Sequence, residues 1–278
     1  MSGPHDDSFA ANRRMWDERV GIHLRSEFYD VEGFIAGRNT LLPIELAELG
    51  EVAGKSLLHL QCHFGMDTLS LARMEARVTG VDFSGEAIRA ARELAERAGI
   101  EARFVESNVY DLPERLPGEF DVVFTSYGTL CWLPDLARWG ELVAQYLRPG
   151  GTFYVAEVHP FLSTLDDDST PDHLKVRYPY FKTRQPLVFN LGGSYADGGA
   201  RTVHNESHEW PYSLHEVVEA LRAPGLRVEF IHEFPVCCFA RFPWLVRGDG
   251  RWWRLPDGVP EFPMTFSLKA FKPAEGSR

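Results

Sequence analysis

Five residues able to contact a ligand, His59, Gln61, Cys62, His63 and Gly65, crowd into a strand end and the turn after it in the stretch KSLLHLQCHFGMDTLSLARMEARVTGVDFS (55–84). Ser56–Leu60 reads as a buried strand, Gln61–Gly65 as a tight turn and Met66–Arg73 as a helix. A second strand then ends on Asp82. A strand–turn–helix–strand unit closed by an acid is how an α/β sheet holds an adenosine-containing cofactor. The helix N-terminus offers unpaired N–H groups, and the carboxylate takes the ribose hydroxyls. His59, Gln61 and His63 stand where an acid and two glycines are expected, so this turn is unusual. Glycine permits positive φ and close backbone approach, and histidine visits positive φ more readily than most side chains.

Other constellations carry less. HNESH (204–208) places His204, Glu206 and His208 on one face of a strand, a spacing that can suit a metal, although a polar hairpin face explains it more simply. DDD (166–168) with Asp172 and His173 reads as a solvated loop rather than a cation site. His59 and His63 are separated by a strand and a turn and share no helix face. No metal site is expected. The four cysteines, Cys62, Cys131, Cys237 and Cys238, form neither a CxxC pair nor a disulfide framework, and Cys237-Cys238 reads as a buried strand end.

The net charge of −11 and only five lysines argue against a nucleic-acid or anionic-membrane surface. The N-terminal MSGPHDDSFAANRR lacks the apolar core of a signal peptide, and no apolar run approaches the roughly 18 residues of a membrane span. These features predict a soluble protein of a reducing compartment, the cytoplasm.

The elements around the turn repeat strand and helix. Residues 1–10 are expected to be disordered, and 11–49 to form short helices with a break near Tyr29-Asp30. Trp16 suits packing on the sheet, whereas Tyr29 and Phe34 suit packing or the lining of a cofactor cleft equally. Ser84 can cap a helix Gly85–Ala98 that stops at Gly99. Ala102–Glu106, the nearly all-apolar Asp121–Thr125 and TFYVAEVH read as strands, with a helix around Leu136–Leu147. Residues 160–211 break the rhythm with two strand-like runs around LGGSYADGG, an inserted hairpin or lid. Ser213 and Glu216 form a capping box on the next helix. LRVEFIHEF and MTFSLKAF are strands, and the Trp/Pro-rich 242–263 between them reads as loop. The order predicts an α/β fold with a doubly wound, mostly parallel sheet.

LLHLQCHFG, VTGVDFS, SNVYDLP, FDVVFTSYGTLCWLPD and YLRPGGTFYVAE, in that order, resemble the five motifs of the class I S-adenosylmethionine-dependent methyltransferases. The resemblance covers roughly 50–158, with 213–271 supplying the last helix and strand pair. It implies a Rossmann-like seven-stranded sheet, an antiparallel last strand and S-adenosyl-L-methionine as cofactor. Carried over, Gln61, Cys62, His63 and Gly65 would face the methionine end. Asp82 would hold the ribose, with Phe83 beside adenine. Asn108 and Val109 would meet the adenine edge, and Thr125 would lie under the sulfonium. Tyr29, Phe34, Asp67 and Ser84 complete the expected cofactor set, and Tyr127 and Trp132 the expected acceptor pocket. With the usual acid replaced by His59, the cofactor's ammonium would need Gln61 or backbone carbonyls.

The implied reaction is methyl transfer to a small-molecule N, O or carboxyl acceptor. A general base, where one is used, would be His159 or His208. A catalytically inactive cofactor-binding protein and, more remotely, a nicotinamide-dependent oxidoreductase remain alternatives. The expected organisation is a helical cap over 1–50 and a methyltransferase domain over 51–278 with the insertion 160–211. The expected partner is a small-molecule acceptor, with a homodimer left open.

Overall fold

A computed structural model describes residues 5–274. Helix α1 (Asp6–Arg25) is followed by short helices α2 (Val31–Ile35) and α3 (Pro43–Glu48). Then come β1 (Ser56–Leu60), α4 (Met66–Arg73), β2 (Arg77–Asp82), α5 (Gly85–Ala98), β3 (Arg103–Glu106), β4 (Phe120–Ser126), α6 (Leu136–Tyr146), β5 (Leu147–Val158) and α7 (Pro160–Ser163). The last part holds β6 (Leu187–Asn190), β7 (Glu206–Glu209), α8 (Leu214–Arg222), β8 (Arg227–Phe234), β9 (Val236–Cys237), β10 (Val246–Arg247), β11 (Trp253–Arg254) and β12 (Thr265–Phe271).

The main sheet has the order β3-β2-β1-β4-β5-β12-β8, parallel from β3 to β5 and antiparallel at β12. This is the Rossmann-like, mostly parallel seven-stranded sheet that the motif order implies. The order reverses between β1 and β4, so their carboxyl ends diverge there and leave the crevice in which such sheets bind ligands. Strand β4 is buried along nearly its whole length because side chains cover both faces. Val123 joins the core of α6 and α8, while Val122 and Phe124 share the opposite core with Leu49, just after α3, and Leu71 of α4. Ser84 caps α5, and the Ser213–Glu216 capping box starts α8.

Three expectations change. The stretch read as disordered holds the start of α1: Asp6 to Ala10 are helical, while residues 1–4 lie outside the described residues. Ser8 and Asn12 bind His208 of the hairpin, a tertiary contact that no local pattern announces. The stretch read as loop over 242–263 supplies β10 and β11, which pair with β9 in a small three-stranded sheet. His204 lies outside β7, and His208 turns its Nε2 to Glu206. The inserted hairpin itself is β6 paired antiparallel with β7. No helix among the described residues is long and apolar enough to cross a membrane.

Helices α6 and α8 pack in close contact because Gly140 has no side chain. A Cβ there would lie 1.8 Å from the Ala220 carbonyl oxygen. Gly140→Ala should therefore lower stability by about 1–3 kcal/mol, the usual cost of overpacking, despite alanine's better helix propensity. Urea unfolding checks this; an unchanged midpoint would show that the helices move apart freely.

Candidate active site

The turn after β1 keeps a glycine-like backbone without the glycines. Gln61 has φ 57°, His63 φ 50° and Gly65 φ 79°, all in the left-handed region. Each non-glycine residue held there costs roughly 1–3 kcal/mol, so its surroundings must hold it. The Cys62 N–H donates to Val81 O, extending the β1–β2 ladder into the turn. The His63 N–H donates to Asp82 Oδ2 at 2.8 Å. Gly65 serves packing as well as φ, since a Cβ there would meet the Phe104 ring at 2.7 Å. The Cys62 side chain faces the same core, where burial pushes its thiol well up.

Asp82 receives a second N–H, from Ser84 to Oδ1 at 2.9 Å. Burial raises its carboxyl to about 6, while the N–H groups of Ser84 and His63 hold it back. Phe83 is half-buried with the Arg13 guanidinium 5.8 Å from its ring centre. Asn108 caps the 3-10 turn Val109–Glu114 through its side-chain oxygen, and Val109 packs into the core. Gln61 spans to the next loop by donating Nε2–H to Thr129 O at 2.9 Å, and its Oε1 is buried without a partner. Thr125 is fully buried at the end of β4, its hydroxyl also without a partner.

The loop after β4 is organised by Glu157 of β5, fully buried. Its carboxylate accepts the N–H groups of Gly128, Thr129, Leu130 and Val158 and the Thr129 hydroxyl. This holds the turn that carries Trp132, whose indole donates to Gly128 O and whose ring meets Trp16 edge-on at 5.4 Å. Glu157 is absent from the expected site. Its signal was an acid in the otherwise apolar strand TFYVAEVH.

A second group of polar residues gathers between α3, the turn and the hairpin tip. The Tyr29 and Tyr195 hydroxyls meet, Tyr195 reaching in from the hairpin. The Tyr127 hydroxyl donates to Glu45 Oε2 at 2.7 Å, with Trp252 packed on the Tyr127 ring. Asp67, at the start of α4, accepts from Thr40 and Ser126, and His59 binds Thr68 through Nδ1. Burial holds Tyr29 well above its usual range, with Tyr195, Asp67 and Cys238 adding to it, and drives His59 down to about 4, so its ring is neutral. Burial, with the nearby Asp67, pushes Glu45 up to about 8. Glu45 and Tyr195 are also new to the site. Glu45 was visible as an acid inside LLPIELAEL, whereas nothing local marked Tyr195.

Other expected residues lie elsewhere. Phe34 is fully buried under the Arg73 guanidinium, in the core with Phe64 and Met66. His159 caps α7, its Nδ1 accepting the Phe161 N–H and its Nε2 paired with Glu233. His208 bonds Ser8 and Glu206 through its two nitrogens. Both rings have both nitrogens bonded to protein partners. Ser84 caps α5 and its hydroxyl meets Asp17 of α1.

Residues 57–151 match the family model described as a methyltransferase domain. A ubiquinone biosynthesis O-methyltransferase of Xanthomonas euvesicatoria pv. vesicatoria is 28% identical over 211 residues, 74% of this chain and 78% of that protein. The enzyme of the same name from Cronobacter sakazakii is 32% identical over 145 residues, 51% of this chain and 56% of its own length. In structure the chain resembles an S-adenosylmethionine-dependent methyltransferase from Mesorhizobium loti. The TM-score is 0.58 at 20% identity, covering 85% of this chain and 99% of that one.

Glu45 makes stability pH-dependent above the histidine range. Its folded pKa is raised from 4.5 to about 8, so the folded chain keeps a proton that the unfolded chain has released, and stability falls as pH rises through that window. Asp82 acts in the same sense only up to about pH 6. His23 and His59, depressed to about 3 and about 4, act oppositely, below the unfolded histidine value of about 6.5. Between about pH 6.5 and 8 the urea midpoint should therefore fall, at up to about 1.4 kcal/mol per pH unit. Glu45→Gln should flatten that slope; a slope unchanged in the variant would assign it to another group.

Proposed function

We propose that the chain is a class I S-adenosylmethionine-dependent methyltransferase that methylates a small-molecule acceptor at a hydroxyl or amine, a reading supported by the methyltransferase-domain match and the O-methyltransferase relatives. When bound, the cofactor supplies a methyl group on a sulfonium, open to in-line displacement by an aligned lone pair.

The residues present fit this cofactor. The observation that carries the reading is the turn: Gln61 and His63 keep the conformation of the glycines they replace, and the same backbone is bonded to Asp82. Gln61 Oε1, a buried acceptor without a partner, suits the cofactor's ammonium in place of the missing acid. Asp82 would hold the ribose hydroxyls, Phe83 would lie beside the adenine, and Asn108 and Val109 would meet its edge.

The wall formed by Tyr29, Tyr127, Tyr195, Glu45 and Asp67 supports the acceptor class. It combines three hydroxyls with two acids and contributes no cation, a poor match for an anionic carboxylate and a good one for hydroxyl or amine donors. Tyr127 and Trp132, both on the loop held by Glu157, would border the acceptor. With both nitrogens of His159 and of His208 bonded to protein partners, the Tyr127–Glu45 pair is our candidate for hydrogen-bonding the acceptor atom, with Glu45 able to take its proton only once ionised, above about pH 8.

Calorimetry with S-adenosylmethionine and S-adenosylhomocysteine should show binding. Asp82→Ala should weaken it about 10- to 100-fold, the loss of hydrogen bonds to a charged group. Incubation with a panel of phenols and amines should release S-adenosylhomocysteine. Absence of heat would overturn the cofactor reading, and binding with no release from any acceptor would overturn the transfer reading.

A further inference from the structure

Helix α1 and the β6–β7 hairpin are joined as one cap. Arg19 donates to Leu191 O and His204 O, and Glu18 accepts the N–H groups of Val203 and His204. Asn12 pairs with both backbone groups of His208 as a strand residue would. The cap reaches the cofactor turn through His23, which is buried on α1. His23 Nε2 lies 2.6 Å from Ser194 Oγ at the hairpin tip, and its Nδ1 lies 2.7 Å from His63 Nε2.

Burial depresses both imidazoles, with Arg19 adding to the effect on His23, so both are neutral. A neutral imidazole has one donor and one acceptor nitrogen, so a single N–H lies between the rings. The bonds then run in one sense from Ser194 through His23 to His63, or in the reverse sense. His63 is the residue whose positive φ needs support. Its backbone is held by Asp82, and its ring by His23 with Trp16, Tyr29 and Phe64 around it.

We propose that His23 is a positioning residue for the cofactor turn. Through the His63 ring it holds the turn in its glycine-like shape, and through Ser194 it makes that shape depend on a seated hairpin tip. The proposal rests on the reading that this turn binds S-adenosylmethionine.

Asparagine and glutamine separate the two arms, because an asparagine amide stands near the position of Nδ1 and a glutamine amide near that of Nε2. By calorimetry with S-adenosylhomocysteine, His23→Asn should stay within about threefold of the wild type, while His23→Gln and His23→Ala weaken binding about 10-fold, the worth of one well-placed hydrogen bond. Ser194→Ala, at the hairpin tip away from the core, should weaken it about threefold. In a His63→Gly background, where glycine holds positive φ unaided, neither His23→Ala nor Ser194→Ala should have a further effect.

Equal losses for the asparagine and glutamine variants, or undiminished losses in the glycine background, would overturn the proposal while leaving the cofactor reading intact. Absence of binding by the wild-type chain would overturn both. Melting temperatures separate a general loss of stability, which would lower both amide variants alike, from the selective loss expected here.

Discussion

Asp82 ties the cofactor turn to the sheet. Its two oxygens take N–H groups from opposite directions, one from His63 in the turn and one from Ser84 at the start of α5. A carboxylate with both oxygens so engaged stays ionised near neutral pH despite deep burial, because each N–H offsets part of the desolvation cost. The same bond keeps His63 at positive φ, so one interaction sets both the shape of the turn and the charge beside it. The remaining features of the site are arranged around that anchored turn: the Gln61 bridge to the β4 loop, the Glu157 clasp beneath it and the cap above.

The buried acids divide by what they bind. Glu157 accepts five donors and is structural, converting a loop with otherwise unpaired N–H groups into a rigid rim. Glu45 has far fewer partners, and burial, with Asp67 adding to it, raises its carboxyl so that its proton is retained. Burial with few compensating donors accounts for Glu45. Glu45 lies next to Tyr127 and Glu157 beneath the loop that carries it.

The cap explains how a turn rich in large side chains can work. Glycines would leave open space above the backbone, whereas Gln61 and His63 fill it, and their side chains then need partners. Thr129 supplies one for Gln61, and α1 supplies the other through His23. Closure is accordingly built into the turn's own side chains, and the hairpin adds Tyr195 and Ser194 from the far side.

Sequence alone determined the elements whose signals are local. The β1–α4–β2 unit, the capped α5 and α8, the apolar β4 and the doubly wound order all follow from periodicity and capping residues, which act between neighbours in the chain. It also placed Asp82 and the unusual turn at the ligand edge. Only the tertiary structure decided what depends on distant partners: the helical start of α1 held by His208, the small sheet built from a Trp/Pro-rich stretch, and the burial of Phe34 under Arg73. The same holds for the capping and hairpin roles of His159 and His208. Glu157, Glu45, Tyr195 and His23 bond Thr129, Tyr127, Tyr29 and Ser194, which lie 28, 82, 166 and 171 positions away. Hydrogen bonds at such separations leave no periodic trace, since they depend on how layers stack rather than on what precedes or follows in the chain.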